Sequence, residues 1–255
     1  PGRLWAWAKE GAKAGLWVRS DGAADFVQVA VDGASTYGFA TARGVLAAST
    51  PATQVWVHND QGSGNAPGLF RVTNPTTASG TAPVATAVVG VPDILHDSGF
   101  YNIAIAVDPA NANRVALAGS FLGDPNVAAD VLLVTTQDGA TRGYDAGIIV
   151  ADVAPDPANG NQLTYGLPAT PYTLVGIGVH PDVHALAYSN GGATLWTGCD
   201  GGVFRSDRPT RPAGFYARND GLMISESNYL ACHPRCEGNL IAGLQDNGTV
   251  RRDST

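Results

Sequence analysis

The segment HPDVHALAY sets His180 and His184 on either side of Asp182. Imidazoles with a nearby carboxylate can hold zinc or copper. A strand turns alternate residues to opposite faces, however, and no further ligand follows nearby, so neither a metal nor a cofactor is expected. His184 reads better as a binding residue at the mouth of a channel or as one that packs within its own repeat, with Asp182 capping the turn before its strand.

A second constellation lies in TLWTGCDGGVFRSD, where Asp200 is followed by two glycines. Cleavage of a glycosidic bond needs two carboxyl groups ~5 to 9.5 Å apart. Asp182, Asp200 and Asp246 are the candidate catalytic members, while Glu226 and Glu237 are harder to place. Against that chemistry, the position of Asp200 recurs as Asp60 in VHNDQG and as Asp246 in GLQDNG. A catalytic acid is normally a single site. A position refilled along the chain marks a corner that the fold requires.

Cys199, next to Asp200, reads as a small buried residue rather than a nucleophile. Cys232 and Cys236 bracket a His-Pro-Arg turn and could be bridged where geometry and compartment allow. No phosphate-binding glycine loop, nucleophile elbow or Cys-x-x-Cys pair is present.

The elements that carry these residues must be short strands. Only 15% of the 255 residues are charged, with 32 Gly, 16 Pro and two lysines, Lys9 and Lys13, so surface helices lack their usual residues. A net charge of −7 argues against nucleic acid, and the arginines look scattered, forming no patch. No apolar run is long enough for a membrane span.

Self-similarity organises the chain. GLWVRSDGAADFVQV, GLFRVTNPTTASGTAPVATAVV, VLLVTTQDGATRGYDAGIIV and GVFRSDRPTRPAGFYARNDG each read as strand, polar turn, strand. Upstream of them lie LWAWAKEG, QVWVHNDQG, RVALAGS and TLWTGCDGG, preceded in turn by runs such as YNIAIAVDP and VHALAYS. Four antiparallel strands per repeat is the unit of a β-propeller blade. The expected fold class is therefore all-β, a propeller of four-stranded blades. Blades are placed near 36–97, 98–180 and 181–225, with partial ones at 1–35 and 226–255. Propellers close with ~4 to 8 blades, and these partial ends overlap rather than interlock. The ring is expected to be incomplete in this chain and finished by a longer polypeptide or by neighbours. The stretch 145–173 is expected either to run over one surface or to form a hairpin with loose ends.

Ser20-Asp21-Gly22 and Asp138-Gly139, with the weaker Ser206-Asp207, resemble the Asp-box turns of bacterial neuraminidase repeats. IAVDPANANRVALAG and the closing NDGLMISESNYLACHP resemble sortilin-like and xyloglucan-hydrolase-like propellers. This resemblance implies that the Asp-box-like turns are structural and peripheral. It also raises a xyloglucanase-like hydrolase as an alternative activity.

The function expected is a binding or scaffold module for protein or glycan, secreted or in the cell envelope. Glycoside hydrolysis and a structural subunit of an envelope assembly are the alternatives. His184, Tyr165, Tyr172 and Tyr216 are the expected contact residues.

Overall fold

The computed structural model describes residues 2–9, 13–32, 43–49, 54–62, 67–73, 82–121, 134–135, 141–142, 145–167, 171–212, 214–222, 225–245 and 248–253. Among them there is no α-helix, and none therefore long and apolar enough to cross a membrane. The chain is all-β: an incomplete propeller of antiparallel sheets. Asp138, Gly139 and Asp246 lie outside the described residues.

β1 (Arg3–Ala8), β2 (Gly15–Ser20) and β3 (Val27–Gln28) form the first sheet. The chain then crosses through β4 (Ala30–Val31) into a meander of β5 (Gly44–Ala48), β6 (Val55–Asn59), β7 (Gly68–Thr73) and β8 (Val84–Val89). β9 (Ala104–Asp108) and β10 (Asn111–Phe121) open the third sheet. A small hairpin of β11 (Val134–Thr135) and β12 (Thr141–Arg142) follows, and β13 (Ala146–Pro155) then pairs with β10. β14 (Leu163–Tyr165) and β15 (Thr173–Leu174) both pair with β13. β16 (Val183–Ser189), β17 (Thr194–Cys199), β18 (Gly202–Ser206) and β19 (Phe215–Ala217) make the fourth sheet in chain order. β20 (Ser227–His233), β21 (Cys236–Leu244) and β22 (Thr249–Arg252) make the fifth.

Side-chain alternation explains why these sheets stack. In β9, β10 and β13 every second residue faces one neighbour and the rest face the other. Ile105, Val107, Val115, Leu117, Ile149 and Val153 join Trp56 and Leu69 in one core, against the second sheet. Ala104, Ala106, Ala116, Ala118, Ile148 and Val150 join Val183 and Leu195 in another, against the fourth. A third core sets Leu16 and Val18 of the first sheet against Val55, Val57, Phe70 and Val72 of the second. Strands covered on both faces read as continuous apolar runs, and all five residues of β6 and of β9 are buried. The fifth sheet departs from this pattern, exposing Tyr229 at 81% and Leu230 at 65%.

Edges are also managed. β8 is paired in parallel by β4 at Ala30↔Val84 and by β14 at Leu163↔Val88, which covers its outer row of backbone groups and joins the second and third sheets.

Three strand expectations change. The third strand of the third sheet is Ala146–Pro155 rather than VLLVTT, because this apolar run fills both core faces beside β10. The stretch 145–173 accordingly begins as a buried strand. It then turns through Asp156, whose Oδ1 accepts the Ala158 N–H at 2.9 Å, into β14. The strand that closes GLWVRSDGAADFVQV is cut short: Val27–Gln28 pairs with β2, and Ala30–Val31 just beyond pairs with β8. Cys232 and Cys236 are not disulfide-bonded. The register sets Cys236 opposite His233 and Cys232 opposite Leu240.

Candidate functional site

Three segments converge where the third and fourth sheets meet. The first is a tight turn before β9. Asp93 Oδ1 accepts the backbone N–H groups of Leu95 and His96 at 3.2 and 2.8 Å, and the Tyr101 and Asn102 N–H groups return to the Ser98 carbonyl at 2.8 and 2.9 Å. Arg43 donates to the carbonyls of Phe100 and Tyr101. Gly99 packs against Asp60, and a Cβ there would come within 2.5 Å of the Asp60 carboxyl carbon. Phe100 and Tyr101 are left at the tip, 67% and 47% exposed.

The second segment opens β16. Asp182 takes a left-handed φ of 62°, a conformation that aspartate tolerates better than most residues. Its Oδ1 accepts from the Asn102 side-chain amide and from Ser120 Oγ at 3.3 Å, so it ties the fourth sheet to the third. The register of β16 on β17 then slips: Val183 faces Cys199, yet Ala185 faces Gly198. His184 is the extra residue of a β-bulge, a device that re-aims a side chain beside functional sites.

The third segment is the turn from β17 to β18, which carries Asp200. Asn219 holds this turn, accepting the Val203 N–H at 2.8 Å and donating to the Gly201 carbonyl at 2.9 Å. Gly202 has φ +107°, and a Cβ there would lie 2.4 Å from the Asn219 amide oxygen.

The bulge brings His184 Nε2 to 2.7 Å from Asp200 Oδ1. An ionised carboxylate only accepts, so Nε2 carries the proton. The Tyr101 hydroxyl donates to both oxygens of Asp200, at 3.3 and 3.2 Å. The Tyr101 ring also meets the His184 ring edge-on, with centroids 4.7 Å apart. Asp200 is thus engaged by an imidazole and a phenol while its side chain stays 16% exposed and that of His184 34%. Both residues line a groove of about 450 Å³ that continues past Asn219 and Leu222 to Leu244 on β21. Burial, followed by the charges of Asp200 and Asp182 among weaker influences, pushes the Cys199 thiol up to about 11. That thiol is no nucleophile at neutral pH.

The fold brings Asp182, His184 and Asp200 together and scatters the other expected residues. Tyr165 is 3% exposed, with its hydroxyl bonded to the Val115 and Ile149 carbonyls at 3.0 and 3.1 Å, so it makes no surface contact. Tyr172 is half-buried against the same core. Tyr216 is exposed, but on β19, away from the groove. Ser20, Asp21 and Gly22 form the β2–β3 turn, with the Ala23 N–H returning to the Ser20 carbonyl at 3.0 Å. In the β18–β19 turn, Ser206 Oγ accepts the Arg208 N–H at 3.1 Å, and Asp207 gathers Thr194, Arg205 and Tyr216.

Phe100, Tyr101 and Asn219 were not anticipated. The signal for the first two was present: a turn-forming HDSG immediately before two consecutive aromatics, at the entry to the apolar run IAIAV. Among the described residues, no group of three His, Cys, Asp or Glu side chains could hold a metal ion.

No protein-family model and no curated protein sequence matches this chain. Solved structures do. The chain is similar to a Niastella koreensis GH74 enzyme, with a TM-score of 0.55 and 16% identity, over 99% of this chain and 33% of that one. It is also similar to Kuenenia stuttgartiensis hydrazine synthase, with a TM-score of 0.52 and 10% identity, over 99% of this chain and 68% of that one. At these identities the likeness shows the fold, and the chain spans about a third of the GH74 enzyme's length.

Proposed function

We propose that this chain is a binding or scaffold module of the cell exterior or envelope, taking a glycan or protein partner in the groove beside Tyr101, His184 and Asp200. One observation carries this reading: a bulge aims His184 at Asp200, with the exposed Tyr101 ring packed edge-on against the imidazole. Exposed rings can cover the apolar face of a sugar, and a carboxylate–imidazole pair can meet its hydroxyls. The net charge of −7 supports a polysaccharide or protein over nucleic acid. Calorimetric titration with neutral oligosaccharides from plant and bacterial walls tests the reading. Binding that weakens at least tenfold in Tyr101→Ala and Asp200→Asn supports it; binding unchanged in both removes the site.

Glycoside hydrolysis is the second reading, favoured because Val183 pairs with Cys199, which sets Asp182 and Asp200 at the same end of the β16–β17 pair. Release of reducing ends from a polysaccharide, abolished in Asp200→Asn with the fold intact, would promote it over simple binding.

The scaffold role draws on the fifth sheet. Tyr229, Leu230, Ile241 and Val250 are exposed there, whereas the second and third sheets bury their apolar faces between neighbours. A further blade of the same polypeptide fits that face. The intact mass of the native protein tests this: a mass near 26.2 kDa with no bound partner excludes it.

A further inference from the structure

The β18–β19 turn, RSDRPTRPAGFYAR, carries four arginines and one acid in a chain of net charge −7. The arginines are therefore not all scattered. Two of the four are committed: Arg205 pairs with Asp207 at 2.6 Å, and the Arg218 guanidinium lies 5.3 Å from the centre of the Tyr216 ring. Arg208 and Arg211 are exposed, and neither guanidinium has a partner among the described residues. Together with Tyr216, Pro212 and Gly214 they line a pocket of about 690 Å³.

The turn is built to hold that shape. The Arg211 N–H donates to the Arg208 carbonyl at 2.9 Å, and the Arg208 N–H donates to buried Ser206 Oγ. Pro209 and Pro212 fix their own backbone angles. Gly214 packs so closely that a Cβ would lie 2.9 Å from Ser206 Oγ. The one nearby carboxylate, Asp207, is matched by Arg205 and does not line the pocket. Two unpaired guanidinium forks beside an exposed phenol ring suit a ligand with a carboxylate on a flat, partly apolar frame.

We infer that this pocket binds a carboxylated polysaccharide, with Arg208 and Arg211 on the uronate carboxylate and Tyr216 under the sugar ring. It stands at the opposite end of β18 from Asp200 and needs nothing of the groove. A nucleic acid or a phosphorylated segment would want a longer basic track than two arginines on an acidic protein.

Titration of the whole protein with tetragalacturonate, against its carboxyl-reduced neutral counterpart, tests the assignment. Binding of the acidic form should be at least tenfold tighter and should weaken as salt rises. Arg208→Gln with Arg211→Gln should abolish it, and Tyr216→Ala should weaken it severalfold, with thermal melting unchanged. Arg208→Lys should retain part of the affinity. Equal binding of the neutral sugar, or binding that persists in the double variant, overturns the inference. Inorganic phosphate or a phosphopeptide binding more tightly than tetragalacturonate overturns it as well.

Discussion

His184 Nε2 and Asp200 Oδ1 meet at 2.7 Å because β16 carries one residue too many for its partner strand. Without the slip between Val183 and Ala185, residue 184 would take a regular place in the ladder. Bulge and contact thus form one feature. Deleting a single residue beside it should restore regular pairing and separate the two groups while leaving the sheet folded, a change visible in the histidine ring signals by NMR.

Tyr101→Phe removes the hydroxyl that Asp200 accepts but keeps the ring against His184. Because the pair is partly exposed, stability should change by less than about 1 kcal/mol. Groove binding should fall severalfold, less than in Tyr101→Ala. Equal losses in the two variants would show that the hydroxyl, and not the ring, carries the interaction.

Asn219→Ala should lower stability by about 1–3 kcal/mol, since it strips two backbone partners from the β17–β18 turn. It should also weaken groove binding although Asn219 makes no bond to Asp200 among those described, because the turn that aims the carboxylate is loosened. Gly202→Ala should do the same through steric overlap and its left-handed φ. Urea midpoints and titrations on the same samples check both effects.

His58 is fully buried, and desolvation lowers its pKa from 6.5 to about 4, against a smaller opposing effect of the Gly68 carbonyl. That carbonyl lies 3.1 Å from Nδ1, so Nδ1 carries the proton, while Nε2 is buried with no partner. The folded state keeps this ring neutral where the unfolded chain would bind a proton. Its contribution is complete above pH 6.5 and is lost as pH falls towards 4, by up to about 3 kcal/mol. Urea midpoints for the wild type and His58→Gln, compared at pH 7.5 and 4.5, should show a smaller acid loss in the variant. Parallel losses would exclude His58 as the source.

Trp56→Ala should cost about 3–5 kcal/mol, since the indole is fully buried between the second and third sheets. Ala116→Leu, on the β10 face turned to the fourth sheet, should cost about 1–3 kcal/mol by overpacking. Denaturant unfolding measures both.

The strand periods were legible because each side chain's face follows from local geometry. RVALAG and IAVD could be read as doubly covered from their unbroken apolar runs, and Asp-Gly corners could be read as turns. Which run pairs with which was not legible. VLLVTT and AGIIVADVAP are equally good strands by composition, and only the fit of Ile148, Ile149 and Val150 between two cores selects the second. Tyr165 looked like a surface residue for the same reason: a proline- and asparagine-rich neighbourhood conceals a strand whose tyrosine points into the core.

Sequence by itself determined an all-β chain, its corners and the residue types able to do chemistry. Tertiary structure decided that Tyr101 reaches Asp200 across 99 positions, that His184 is the bulged residue, and that Asn219 holds the corner. Local propensity acts over a few residues, whereas sheet register and stacking are set by contacts far apart in the chain. A site assembled between sheets therefore exists only once those contacts have formed.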